Sequence, residues 1–239
     1  MKNMRVRSAR NWTNETNKST NFKDATMSFR KEKFMSLAGI TAVEHPIEEL
    51  KSISRGLLND GIHGICFSAY DEGQQPGDQL TEAQVRRKLS ILKPHISWVR
   101  TFSCTEGNEF IAQIAHEMGI KTLAGAWLGD DLEKNEVEIA GLIALCKQGA
   151  VDVAAVGNEV LYREDLEANA LVKYIERVKA EVSGVPVGYV DAYYEFTDHP
   201  EVSDACDIIL ANCYPYWEGC ALDYSLMYMK QMYMEAKIA

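Results

Sequence analysis

Six short apolar, β-branched runs alternate with longer amphipathic stretches along this chain, and that alternation limits its fold more than any other feature. The runs begin near residues 63, 97, 120, 151, 185 and 207, so one strand-and-helix unit recurs about every thirty residues. Strands alternating with helices predict a parallel sheet with helices outside it. The spacing matches a TIM (β/α)8-type barrel, which fits eight units into roughly 250 residues, with about six of the eight units present here. A doubly wound open sheet shares the alternation, but it usually carries a glycine-rich phosphate loop after an early strand. Here the first run is followed by YDEGQQPG at residues 70–77, with neither a GxGxxG nor a GK[ST] pattern. The nucleotide-binding sheet is therefore set aside.

Local signals place the remaining elements. Residues 46–59 have Pro46 at the expected first helical position, apolar residues at Ile47, Leu50, Ile53, Leu57 and Leu58, and Gly61 just past the end, which predicts a capped amphipathic helix. Thr81 with Gln84 predicts a capping box opening a helix that stops before Pro94. Helices are also expected near 106–118, 131–148, 165–182 and from 223 onward. The domain these elements build is expected over residues 34–239. The first 33 residues, rich in Asn, Thr, Ser, Lys and Arg, cannot bury enough surface to order themselves and read as a disordered leader. Three sequons, at Asn11, Asn14 and Asn17, fall within it and follow from its composition.

Charge and cysteine usage exclude several functions. There are 25 Lys and Arg against 35 Asp and Glu, a formal net charge of -10, which disfavours nucleic acid as a partner. Six scattered cysteines contain no CxxC pair and read as reduced, buried, small hydrophobes, with a chance bridge such as Cys213 to Cys220 left open. The histidines, His45, His63, His95, His116 and His199, have no metal-ligand spacing, so no metal and no cofactor are expected, and a metal-dependent lyase has thin support. No run of eighteen apolar residues and no signal-peptide stretch occur. As written, the chain is expected to have no membrane segment and not to be exported.

The chemistry points to residues 151–160, VDVAAVGNEV. The apolar run reads as a buried parallel strand that breaks at Gly157 and presents Asn158 and Glu159 at its carboxyl end, where substrates of alternating strand-and-helix folds bind. Glu159 could instead serve the amides of a following helix. The other strand ends offer Tyr70 with Asp71, Phe102, Trp127, Asp191 with Tyr193 and Tyr194, and Tyr214 with Tyr216 and Trp217. Rings and hydrogen-bonding groups converging on one rim suit a sugar, which shows C–H faces to aromatics and hydroxyls to carboxylates and amides. Any one of these rings alone is more often packing than ligand contact.

From about residue 62 onward the chain resembles glycoside hydrolase family 17, the β-1,3-glucanases and related transglycosylases. The resemblance rests on GICFSAYDEGQQPG, WVRTFS, LAGAWLG, VGNEV, VDAYYEF and ANCYPYW, in that order. It implies that Glu159 is the general acid/base, that Asn158 bonds the sugar 2-hydroxyl and that Tyr214 sits near the nucleophile. Tyr70, Phe102, Trp127, Asp191 and Tyr216 are expected along the glucan cleft from their rim positions. A retaining enzyme also needs a nucleophilic carboxylate about 5 Å from the first. The family's Gly-Glu-(Thr/Ser)-Gly-Trp-Pro-like segment that would supply it is absent from these residues. Glu195 and Glu218 are poor substitutes, since neighbouring strand ends aim at different parts of a site. The expectation is a catalytic half-site, from a fragment, a truncated product or a degenerate homologue, whose unpaired first and sixth strands favour self-association. The expected partner is a β-glucan or oligosaccharide. Two functions follow: a retaining β-1,3-glucan hydrolase or transglycosylase, or a carbohydrate-binding remnant that cuts nothing. The family often works outside the cytoplasm, whereas this chain carries no export signal, so localisation stays open.

Overall fold

The computed structural model describes residues 45–239. The expected leader over 1–33, its sequons and the start of the 34–239 domain lie outside the described residues.

Six strands form one parallel sheet: β1 (Ile62–Cys66), β2 (Ile96–Arg100), β3 (Lys121–Ala126), β4 (Val153–Asn158), β5 (Val187–Ala192) and β6 (Ile208–Asn212). Each pairs in parallel with the next, in sequence order throughout. Every crossover therefore advances one place in the same direction, the winding of a barrel, whereas a doubly wound sheet reverses its order at a switch point. The described residues supply six strands of the eight such a barrel has. The sheet curls strongly. In a flat sheet β2 and β6 would lie about 19 Å apart, at about 4.8 Å per step. Yet Arg100 of β2 donates to Asn212 Oδ1 of β6 at 3.4 Å, which only a curved sheet allows.

Helices connect the strands and cover the outer face. α1 (Ile47–Asp60) precedes β1, and α2 (Glu82–Leu92), α3 (Glu109–Glu117), α4 (Leu132–Lys147) and α5 (Ala168–Glu181) fill successive crossovers. Two short helices, α6 (Glu195–Asp198) and α7 (Pro200–Ala205), lie between β5 and β6, and α8 (Ser225–Ile238) follows β6. α6 and α7 escape sequence reading because four and six residues are too few to show a helical period.

Caps explain several boundaries and correct one. Thr81 Oγ1 accepts from the Gln84 N–H at 3.3 Å, the first half of the expected box. The Gln84 side chain does not return the bond; its Nε2 donates to the Ala69 carbonyl at 2.6 Å instead and ties α2 to the chain after β1. Asp131 caps α4 through the Lys134 N–H at 3.1 Å. Pro46 sits at the N-cap of α1 rather than inside it, and none of that helix's residues is buried. Its apolar stripe forms as expected but faces solvent among the described residues.

The main core lies between β3–β5 and helices α4 and α5, with Ala124, Ile139, Leu142, Ala154, Val156, Leu171, Ile175 and Val187 buried. A second cluster packs β1 and β2 against α2 and α3 through Val85, Leu89, Val99, Ile111 and Ile114. A third joins Tyr193 to Cys220, Tyr228, Met232 and Ala236 beside α8. All six cysteines are free, so Cys213 and Cys220 form no bridge; three are buried, and Cys66 is exposed.

Candidate active site

The sheet presents Glu159 through an irregularity in β4. Ala155 pairs with Gly188 and Asn158 with Val190, so β4 advances three residues while β5 advances two. One extra residue is accommodated at Gly157, whose φ of 90° suits glycine. The strand thus does not break at Gly157, as the sequence suggested; it bulges there and runs on to Asn158. Glu159 follows with φ 53°, a left-handed backbone that costs a side-chain-bearing residue roughly 1–3 kcal/mol. It does not cap a helix either, because α5 begins only at Ala168.

The turn after Glu159 is held on several sides. The Glu159 N–H donates to the Val190 carbonyl at 2.7 Å, and its carbonyl accepts from the Arg163 N–H at 3.0 Å. Asp191, completely buried, lies beneath the turn. Its Oδ2 accepts from the N–H groups of Leu161 (3.2 Å) and Tyr162 (3.3 Å) and from the Tyr189 hydroxyl, and Oδ1 accepts from the Ala192 N–H at 2.7 Å. Asp191 therefore supports the acidic turn from below and does not line a cleft. The reason is strand geometry: residues two apart share a face, and on that face Tyr189 packs against Phe196 of α6. Burial raises the Asp191 pKa, and the hydrogen bonds from Tyr189, Ala192 and Tyr162 oppose that rise.

Polar side chains from three strands meet at Glu159. Asn212 donates through Nδ2 to Glu159 Oε1 at 2.7 Å. Arg100 donates through Nη2 to Asn158 Oδ1 and through Nη1 to Asn212 Oδ1 at 3.4 Å, so one guanidinium orients both amides. It also stacks over the Phe102 ring, with Cζ 4.7 Å from the centroid. Tyr214 is half exposed beside this group; burial first and then the Glu159 charge raise its phenol pKa, and the Arg100 charge lowers it.

Trp127 enters from β3. It is 38% exposed, and the Arg163 guanidinium lies over its indole at 4.5 Å. Its backbone N–H is fixed by Glu138 Oε2 at 3.2 Å. The fully buried Glu138 carboxylate of α4 also accepts from Ser103 Oγ and Thr105 Oγ1, both at 2.6 Å, and from the Cys104 N–H at 2.8 Å.

The structure thus gathers Asn158, Glu159, Phe102, Trp127 and Tyr214. It keeps two other expected residues out of that group and leaves a third, Tyr216, in solvent. Asp191 is buried below, the Tyr70 ring packs against the β1–β2 cluster while its hydroxyl accepts from Asn108 Nδ2 at 3.4 Å, and Tyr216 is 93% exposed. Arg100 and Asn212 stood inside segments the sequence had singled out, WVRTFS and ANCYPYW, but nothing there showed that they would meet. Arg163 and Glu138 carried no such signal. Among the described residues no three His, Cys, Asp or Glu gather in a way that could hold a metal ion. No described helix is long and apolar enough to cross a membrane.

Relatives share this arrangement's framework. A family model, the BtgE/BtgC glycoside hydrolase domain, matches residues 64–239. The chain is similar to the glucan 1,3-beta-glucosidase BGL2 of Candida albicans, at 28% identity over 54% of this chain and 48% of the relative. It is equally similar, at 28%, to the glucan 1,3-beta-glucosidase of Schizosaccharomyces pombe, over 74% of this chain and 59% of the relative. The chain therefore spans between 48% and 59% of the length of these relatives. Its fold is similar to that of an active-site mutant of Rhizomucor miehei β-1,3-glucanosyltransferase in complex with laminaritriose, with a TM-score of 0.66 and 27% identity over 76% of this chain and 68% of that one. Since the family model covers most of the chain, every strand end just described included, the chain belongs to the BtgE/BtgC glycoside hydrolase family, a group of the glycoside hydrolase family 17, β-1,3-glucanase-like kind.

Proposed function

We propose that the site acts on β-1,3-glucan by a retaining double displacement, by hydrolysis or transfer, with Glu159 as general acid/base. The observation that carries the reading is the 2.7 Å bond from Asn212 to Glu159 Oε1. It occupies one carboxyl oxygen and leaves Oε2 to carry the proton to the departing glycosidic oxygen. Asn158 is read as the contact to the sugar 2-hydroxyl. With Oδ1 committed to Arg100, its amide nitrogen is the end that meets a hydroxyl, as a donor. Trp127 and Tyr214 offer exposed ring surface beside the acid for the C–H faces of glucose.

Double displacement also requires a nucleophilic carboxylate. The acidic residues at the β5 and β6 ends are already engaged. Asp191 is saturated with donors. Glu195 is pushed up to about 7 by burial, so a large share of it keeps its proton near neutrality, and its Oε2 faces His199 Nε2 at 3.5 Å. Glu218 accepts from the Tyr228 hydroxyl. The nucleophile in this proposal comes from other residues. The same observation favours the second reading, a barrel that binds glucan without cutting it.

The test is reducing-sugar release from a soluble β-1,3-glucan by the chain and by Glu159→Gln, with binding followed by calorimetry. With the nucleophile lent by a second copy of the chain, the enzymatic reading expects release that falls at least about a hundredfold in the variant, with affinity held within about twofold. Binding without any release supports the second reading, and no binding overturns both.

A further inference from the structure

Glu159 stands in a left-handed conformation between two peptide planes, and one residue grips both. Arg163 Nη1 donates to the Asn158 carbonyl, on the plane before Glu159. The Arg163 backbone N–H donates to the Glu159 carbonyl at 3.0 Å, on the plane after it. Those two planes set φ and ψ of Glu159, and with them the direction of its Cα–Cβ bond. The same guanidinium is anchored at three further points. Nε meets Asp165 Oδ2 at 2.7 Å, Nη2 donates to the Leu128 carbonyl at 2.9 Å, and the plane lies over Trp127 at 4.5 Å. Arg163 thus links the acidic turn to the end of β3, which a single-point contact could not do.

We propose that Arg163 is a positioning residue that aims the Glu159 carboxyl toward the site, an inference that rests on the acid/base reading of Glu159. The fork geometry is essential to it. Three divergent, in-plane donations need a guanidinium, so Lys at this position keeps the charge and the backbone bond but not the grip on Asn158, Leu128 and Asp165 together.

The carboxyl's direction can be read without ligand or turnover. Asn212 Nδ2 donates to Glu159 Oε1, so the Asn212 side-chain amide protons report in nuclear magnetic resonance whether that carboxyl is in place. Glu159→Ala supplies the reference for its loss. Arg163→Lys is expected to move the Asn212 signals toward that reference while backbone signals of β1 and β2 stay put. Asp165→Ala, which removes one anchor, is expected to move them part of the way. Asn212 signals left unchanged in Arg163→Lys overturn the proposal. Should that variant fail to fold, unchanged signals in Asp165→Ala overturn it equally. Where glucan is turned over, Arg163→Lys is expected to lower kcat about tenfold or more with KM within about twofold, and an unchanged kcat counts against the proposal. Failure of the acid/base reading shows instead as cleavage indifferent to Glu159→Gln, with the Asn212 shift still present.

Discussion

Glu195, the first residue of α6, carries a pH consequence that can be worked out in sign. Burial pushes its carboxyl up to about 7, the Asp191 charge adds to the rise, and His199, whose Nε2 lies 3.5 Å away, opposes it. The ordinary value is 4.5, so between 4.5 and about 7 the folded chain binds more protons than the unfolded one. Stability then falls with rising pH: the contribution is complete below the ordinary value and is lost as pH passes through about 7. Glu195→Gln keeps the shape without the proton and is expected to lose less Tm than the unsubstituted chain between pH 5 and pH 8, as followed by circular dichroism. Equal losses in both would assign the pH dependence to another group. Asp191 shows why a residue's place on a rim does not settle its role. A carboxylate at a strand end looks like a ligand contact in sequence, yet its neighbours two residues back turned it inward, where four donors use it.

The bulge in β4 is the element on which the site depends. A Cβ at residue 157 would lie 2.8 Å from Val160 Cγ2 and 3.3 Å from Tyr189 Cε2, on a backbone that L residues rarely adopt. Gly157→Ala is expected to cost about 2–3 kcal/mol of stability in urea unfolding and to reduce glucan turnover with it. An unchanged unfolding midpoint would mean that the bulge relaxes without cost. The helices show a different limit to sequence reading. Glu138 sits in a helix expected from periodicity, where an acidic residue ordinarily reads as solvent-facing. Its carboxylate instead joins the chain after β2 to Trp127 after β3, because the loops that donate to it fold over that end of α4. Periodicity finds the helix and cannot find what bends over it.

At the scale of the whole molecule, the described residues present two open sheet edges. Among the described residues β1 and β6 each pair with one strand only, and exposed apolar side chains line both α1 (Leu50, Ile53, Leu57) and α8 (Leu226, Met229, Tyr233). Unpaired strand edges beside apolar surface favour association with a second copy. Sedimentation velocity of these 239 residues is expected to show a sedimentation coefficient that rises with concentration, and a monomer throughout the range would overturn that expectation. The alternation of parallel strands and helices, its barrel-like period and the pair Asn158–Glu159 at a strand end were determined by the sequence alone. Each depends on local periodicity or on residues adjacent in the chain. The geometry of the candidate site was decided only by the tertiary structure. Arg100 meets Asn158 across 58 positions and Asn212 across 112, and Asn212 meets Glu159 across 53. Those contacts exist because the sheet curls, and curvature is a property of all its strands together, which no single stretch of sequence states.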